Sequence, residues 1–252
     1  MRAEMRKSLT VLAGTAAVMF LVAASASAQG GGGILGTKHN LSTSGTGAIH
    51  VTTGTAEVCV FCHTPHGADT SVSAPLWNRA INTTGYTMYS SDTLDATMDT
   101  QPTGVSLACL SCHDGTIAFD ALRNLPGPGG FTDTPSKDGT STWTFVGATG
   151  KKMPAGITNI GQDLTNDHPI SMVYTTAKSP SSTSQTNDHA TGFKDPQNTG
   201  SNGNSWFNNG VRLYAGKVQC ASCHDPHTTN VTFLRTSNDA SALCLTCHKK
   251  DG

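Results

Sequence analysis

Aromatic and charged side chains are both scarce in this chain, at 6% and 13% of its 252 residues. After the first two dozen residues, no run is apolar enough to span a bilayer. There is no basic run of five, so nothing points to a nucleic-acid surface. No cysteine lies near the end of the leading apolar stretch, which argues against a lipid anchor there. Gly, Ser, Thr and Asn fill the space left by the missing residue types. A chain with so little apolar side-chain area either stays loose or folds around something it does not encode.

The leading stretch is set apart from the rest. Arg2, Arg6 and Lys7 form a basic start, Leu9 to Ala24 is apolar, and Ala26-Ser27-Ala28 is a small-residue cleavage site. This predicts a signal peptide over residues 1–28 and export of the rest. The alternative is a membrane anchor, for which the apolar run is short and ends in small residues. Removing Arg2, Arg6, Lys7 and Glu4 from the 16 basic and 17 acidic residues leaves 13 against 16, a net charge of −3.

What the sequence does have is eight cysteines in one repeated pattern. They fall as Cys59-Val-Phe-Cys62-His63, Cys109-Leu-Ser-Cys112-His113, Cys220-Ala-Ser-Cys223-His224 and Cys244-Leu-Thr-Cys247-His248. On one helical turn, residues i, i+3 and i+4 share a face. Two thiols so placed reach the two vinyl groups of one porphyrin, and the histidine that follows reaches its iron. Cys-x-x-Cys-His is the signature of c-type haem attachment. Two other readings compete. The last two pairs are spaced as in a zinc ribbon, and eight cysteines in an exported chain could be four disulfides. Neither explains a histidine after the second cysteine in all four cases. Four covalent haem c groups are therefore expected, about one per 56 residues (224 divided by 4).

The motif histidines fill one axial position per iron, and the other position separates an electron carrier from a catalyst. Six histidines remain: His39, His50, His66, His168, His189 and His227. His63-Thr-Pro65-His66 and His224-Asp-Pro226-His227 repeat one offset. The proline disfavours helix before it, so the second histidine is expected to turn away and serve another haem. His168 lies in a turn-like Asn-Asp-His-Pro stretch, and His39 follows the Gly-rich start. These four are the distal candidates. His50 and His189 read as surface residues, and Met88, Met98, Met153 and Met172 as packing residues.

The motifs come in pairs, the first of each pair carrying the His-x-Pro-His extension. This reads as a duplicated two-haem unit, about 29–124 and 206–252, with a Gly/Ser/Thr/Asn-rich insert over about 125–205. Val211–Tyr214, Ala215-Gly216 and Lys217–Gln219 predict a hairpin. The expected fold is one loop-dominated domain over 29–252, a multihaem cytochrome c organised around four haems. It would have short helices at the motifs and a few short strands. Arg79, Arg123, Arg212 and Arg235 are candidates for pairing with haem propionates.

Several pieces carry a resemblance. They are Cys59-Val-Phe-Cys-His-Thr-Pro-His66, Ala74-Pro-Leu-Trp-Asn-Arg79, Cys109-Leu-Ser-Cys-His-Asp-Gly-Thr116, Asp163-Leu-Thr-Asn-Asp-His-Pro-Ile170 and Cys220-Ala-Ser-Cys-His-Asp-Pro-His227. The chain resembles the doubled Cys-x-x-Cys-His family, and more closely the filament-forming extracellular tetrahaem cytochromes of the OmcE type. The resemblance implies bis-His ligation throughout, with His66, His168, His227 and His39 as distal ligands. It also implies a continuous haem chain and head-to-tail assembly in which one subunit donates an axial histidine to the next. The Gly-rich start makes His39 the candidate for that donation. The partners implied are other cytochromes and extracellular or periplasmic electron donors and acceptors, with no nucleic acid. Three functions follow: a polymeric extracellular conductor, a soluble periplasmic shuttle, or a multihaem reductase with one open iron.

Overall fold

A computed structural model describes residues 33–94, 96–174 and 192–249. The expected signal peptide and His189 lie outside them. Regular structure is sparse, and it gathers at the motifs. The longest element, α1 (Ser106–His113), contains the second motif. Its sequence, SLACLSCH, joins good helix formers to a buried face of Leu107, Ala108 and Leu110. Gly115, at φ 70°, ends it as a left-handed cap. The third and fourth motifs form the single turns α2 (Cys220–Cys223) and α3 (Cys244–Cys247), and the first forms a 3₁₀ turn, Cys59–Phe61.

Among the described residues, seven short strands form three small antiparallel sheets. β1 (His50–Thr53) pairs with β2 (Thr144–Val146). β3 (Met172–Val173) pairs with β7 (Lys217–Val218), and β4 (Asn198–Thr199), β5 (Ser205–Trp206) and β6 (Arg212–Leu213) form the third sheet. The expected hairpin turn is present: Tyr214 and Lys217 exchange both backbone hydrogen bonds, and Ala215 and Gly216 have φ 49° and 75°. Its two arms enter different sheets, because β6 pairs with β5 and β7 with β3.

Two small cores brace the motifs. Under the first, Phe61 meets Trp143 edge-on at 5.7 Å between centroids, and Phe119 lies 5.6 Å from Phe145. Leu41, Val51 and Leu122 complete it. Under the fourth, Met172, Tyr174, Phe207, Val211, Leu213 and Val218 pack together, with Met98 and Cys247 against them. The Gly/Ser/Thr/Asn-rich segment supplies β2, Trp143 and Phe145, so it is built into these cores.

The two units share a local plan. After the first motif, Thr64 N donates to Leu76 O and Asn78 N to Cys62 O, both at 2.9 Å. After the third, Asp225 N donates to Phe233 O at 2.7 Å and Arg235 N to Cys223 O at 2.8 Å. A short return strand thus closes over each His-x-Pro-His turn.

Candidate haem-binding sites

In the first, third and fourth motifs the histidine amide donates to the carbonyl of the first cysteine, at 2.8, 3.1 and 2.9 Å. That bond closes the single turn which sets both thiols and the imidazole on one face. Three motif rings are then fixed from behind. Nδ1 of His63 bonds Pro75 O at 2.7 Å, that of His113 bonds Thr158 O at 2.7 Å, and that of His224 bonds Thr232 O at 2.9 Å. A carbonyl on Nδ1 places the proton there and leaves the Nε2 lone pair for a metal. His248 has a different support, the Phe193 ring at 4.7 Å.

Two of the expected distal histidines face motif histidines. The rings of His63 and His227 are 6.1 Å apart and nearly parallel, at 16°. Those of His39 and His113 are 6.2 Å apart, at 81°. A metal–imidazole bond is about 2 Å, and the ring centre lies about 1 Å beyond it. Two imidazoles on opposite sides of one ion therefore stand about 6 Å apart, centre to centre, as these do. His227 is steadied by Asp225, whose Oδ1 lies 3.3 Å from its Nδ1. Burial, then the charge of His113, lowers the His39 pKa to about 4, which keeps this ring neutral at ordinary pH. A neutral imidazole is the form that binds metal.

His168 neighbours His248: burial and then its charge lower the His248 pKa. The His168 Nδ1 is held 3.0 Å from Pro169 O. His66 is exposed and lines a groove of about 540 Å³ with Cys59, His63, Asn124 and Leu125. Among the described residues no motif imidazole faces His66, and no second imidazole faces His224 across such a gap. The location of His39 differs from the outward arm expected of the Gly-rich start. It sits inside its own chain, against His113 and the Phe233 ring at 4.3 Å. His50 is half-buried, with Nδ1 on Gly47 O at 2.8 Å.

None of the eight cysteines is in a disulfide. Among the described residues no three or more of His, Cys, Asp and Glu converge as metal ligands. The thiols instead neighbour one another in chain order. Burial and then the Cys112 charge push the Cys62 thiol up to about 12. Cys109 is hydrogen-bonded to Cys220, which raises Cys109 and lowers Cys220. Burial raises Cys223 and Cys247, each also feeling the fourth or third motif's sulfur.

Other features also fit a bound haem. Among the described residues, two buried nitrogens have no hydrogen-bond partner: His39 Nδ1, and Nε1 of Trp77, whose ring lies 6.1 Å from that of His63. Haem propionates are acceptors that such donors could meet. Sequence reasoning had not singled out Trp77 or Asn78 individually; their signal is the Ala74–Arg79 piece that returns over the first motif. Cys and His of each motif, with His227, His39 and His168, would hold the groups, and bound haem supplies a one-electron ferric/ferrous couple.

No curated protein matches the chain. Residues 214–252 match the family profile described as "Doubled CXXCH motif". They contain the third and fourth motifs and β7. The match supports a multihaem c-type cytochrome, carrying covalently bound haem c and serving electron transfer.

Proposed function

We propose that the chain carries four bis-His haem c groups, one on each motif, and acts as an electron carrier rather than an enzyme. The observation that carries this reading is the pair of imidazole–imidazole separations, 6.1 and 6.2 Å, each joining a motif histidine to a histidine outside the motifs. His63 pairs with His227, His113 with His39, and His248 with His168. A doubly ligated iron has no position for substrate, which suits transfer and not chemistry.

The fourth pair sets the assembly. His66 is exposed beside the first motif, and in this reading it is given to the His224 haem of a second copy. A head-to-tail contact that does not close on itself yields a filament, and an axial bond would fix its junction. The role of His39 in such a junction is withdrawn, since its ring is committed to His113 within the chain. Export past residue 28 would place the filament outside the cell, where it passes electrons between other cytochromes and external acceptors.

Mass spectrometry of the exported protein should give the chain from Gln29 with four haems. Spectra of the oxidised protein should be wholly low-spin, and electron microscopy should show filaments that His66→Ala abolishes. Filaments that persist in His66→Ala but not in His189→Ala would overturn the assignment of His66. Monomers in the parent protein would leave the soluble periplasmic shuttle, and a stoichiometric high-spin haem would favour the reductase.

A further inference from the structure

Arg79 is fully buried, at 0% exposure, and is the largest side chain so buried among the described residues. Among the described residues its guanidinium meets no carboxylate. Nε donates to Ser111 Oγ at 3.2 Å, Nη2 to Ser111 O at 3.0 Å and Ala118 O at 2.9 Å, and Nη1 to Phe119 O at 2.7 Å. Four of five N–H donors are thus placed on neutral oxygens. Three of these bonds reach the end of α1 or the turn beyond it, so the side chain also caps that helix. It cannot shed its charge, because arginine stays protonated in proteins.

The position ties this charge to the first two motifs. Ser111 immediately precedes Cys112, and the neighbouring Asn78 holds Cys62 O through its backbone N–H at 2.9 Å. The second unit handles the matching site differently. Arg235, on the equivalent return strand, donates to Ala221 O at 2.8 Å but is neutralised by Asp225 at 3.0 Å. Arg123 has two acidic partners, Asp69 and Asp133. Asp120, next to Phe119 in the chain, is paired with Lys151 at 2.7 Å. Asp114, at the end of α1, is hydrogen-bonded by Tyr86 and Thr116, which are neutral and leave its charge in place beside the second motif.

We propose that Arg79 is a positioning residue for redox potential: a buried, uncompensated cation that favours the ferrous state of the haems on the first two motifs. This rests on the four-haem reading above. Reduction adds one electron to an iron, so a fixed positive charge nearby stabilises the product. The second unit, with Arg235 paired to Asp225, lacks that contribution, so Arg79 makes the first pair easier to reduce than it would be without this charge. A unit charge about 12 Å away, at an effective dielectric of about 20, shifts a one-electron equilibrium by about tenfold. An electrode reads tenfold as about 59 mV.

The test is a mediated spectroelectrochemical titration of the haem-loaded protein. In Arg79→Gln, the part of the curve belonging to the first pair should move negative by about that amount, with the rest unmoved. Ser111→Asp, which leaves the guanidinium in place and supplies an anion to it, should move the same part in the same direction. Arg79→Lys should keep the parent curve. The inference fails if Ser111→Asp retains four low-spin haems with an unshifted curve. It also fails if Arg79→Lys moves as far as Arg79→Gln, since the effect would then be packing and not charge. Absence of four covalent haems from the parent protein would overturn the proposed function itself.

Discussion

Asn78 is a single side chain on which the first site depends, and its truncation has a calculable cost. It is fully buried. Its Nδ2 donates to Val60 O at 2.7 Å and Asn124 O at 2.9 Å, and its Oδ1 accepts from Asn124 N at 2.8 Å. Asn124 in turn holds the next turn, its Nδ2 reaching Thr64 Oγ1 at 2.9 Å and His66 O at 2.6 Å. Asn78→Ala strands two carbonyls and one N–H out of water. Each stranded group costs about 1–3 kcal/mol, and because they share one residue the total is about 3–5 kcal/mol, less than the full sum. That is a large part of a typical net stability of about 5–15 kcal/mol. Urea unfolding of the haem-loaded protein, followed by far-UV circular dichroism, should show a midpoint lowered by about 1–2 M at unchanged slope. Asn78→Asp should be worse at neutral pH, because a buried carboxylate would then face two carbonyl oxygens. A shift below about 0.3 M for the alanine variant, with the slope constant, would refute the claim that this network braces the first motif.

Two further outcomes follow from the geometry. His227→Ala and His39→Ala should each retain four thioether-bound haems but turn one of them high-spin, read by electron paramagnetic resonance. Unchanged spectra in both would remove these residues from the ligand set. Burial alone would raise the Asp99 pKa, but the bonds from Lys217 at 2.6 Å and Thr103 at 2.6 Å outweigh it and hold the carboxyl below its ordinary value. A depressed carboxyl stabilises the fold above its unfolded pKa, about 3.9, and loses that contribution as pH falls through the folded value. Lys217→Gln should therefore cost about 1 kcal/mol at neutral pH, with variant and parent unfolding curves converging as pH falls through the lowered carboxyl's range; a constant gap at all pH values would rule the pair out as the cause.

The four motifs were legible because their chemistry is local: each single turn is specified by five consecutive residues. The turn at Ala215-Gly216 was legible for the same reason. The pairing of its arms was not, since β7 takes its partner β3 from a remote stretch while β6 pairs with the nearby β5, and no short pattern selects between them. The Gly-rich start read as an outward arm because glycine has no side chain to hold it. What folds it back is the asparagine beyond: Asn40 Nδ2 donates to Leu35 O at 3.0 Å, and its Oδ1 accepts from the Ser42 hydroxyl at 2.7 Å. A composition rich in Asn, Ser and Thr looks loose as a sequence, yet those side chains satisfy backbone groups that helices and sheets would otherwise satisfy. The sequence offers Arg79 as a candidate partner for haem propionates; its side chain is instead buried on Ser111, Ala118 and Phe119, which are 32, 39 and 40 residues away.

The joint between the two units bears most directly on conduction. Electron tunnelling falls steeply with gap, so two pairs of haems separated by a loose insert would be two carriers and not one. The chain instead returns across the insert. Ser106, at the start of α1, donates to Gln219 Oε1 at 2.5 Å and accepts from Cys220 N at 3.0 Å, although Ser106 and Gln219 stand 113 residues apart. The Gln219 amide is capped in turn by Ser222 at 2.8 Å. These bonds are buried and short, and they lock the helix of the second motif to the turn of the third, where Cys109 and Cys220 touch. The stretches on either side of the insert are thus clamped together at the attachment sites themselves. With the first and second motifs adjoining at Cys62 and Cys112, and the third and fourth at Cys223 and Cys247, the attachment points run in the order of the sequence.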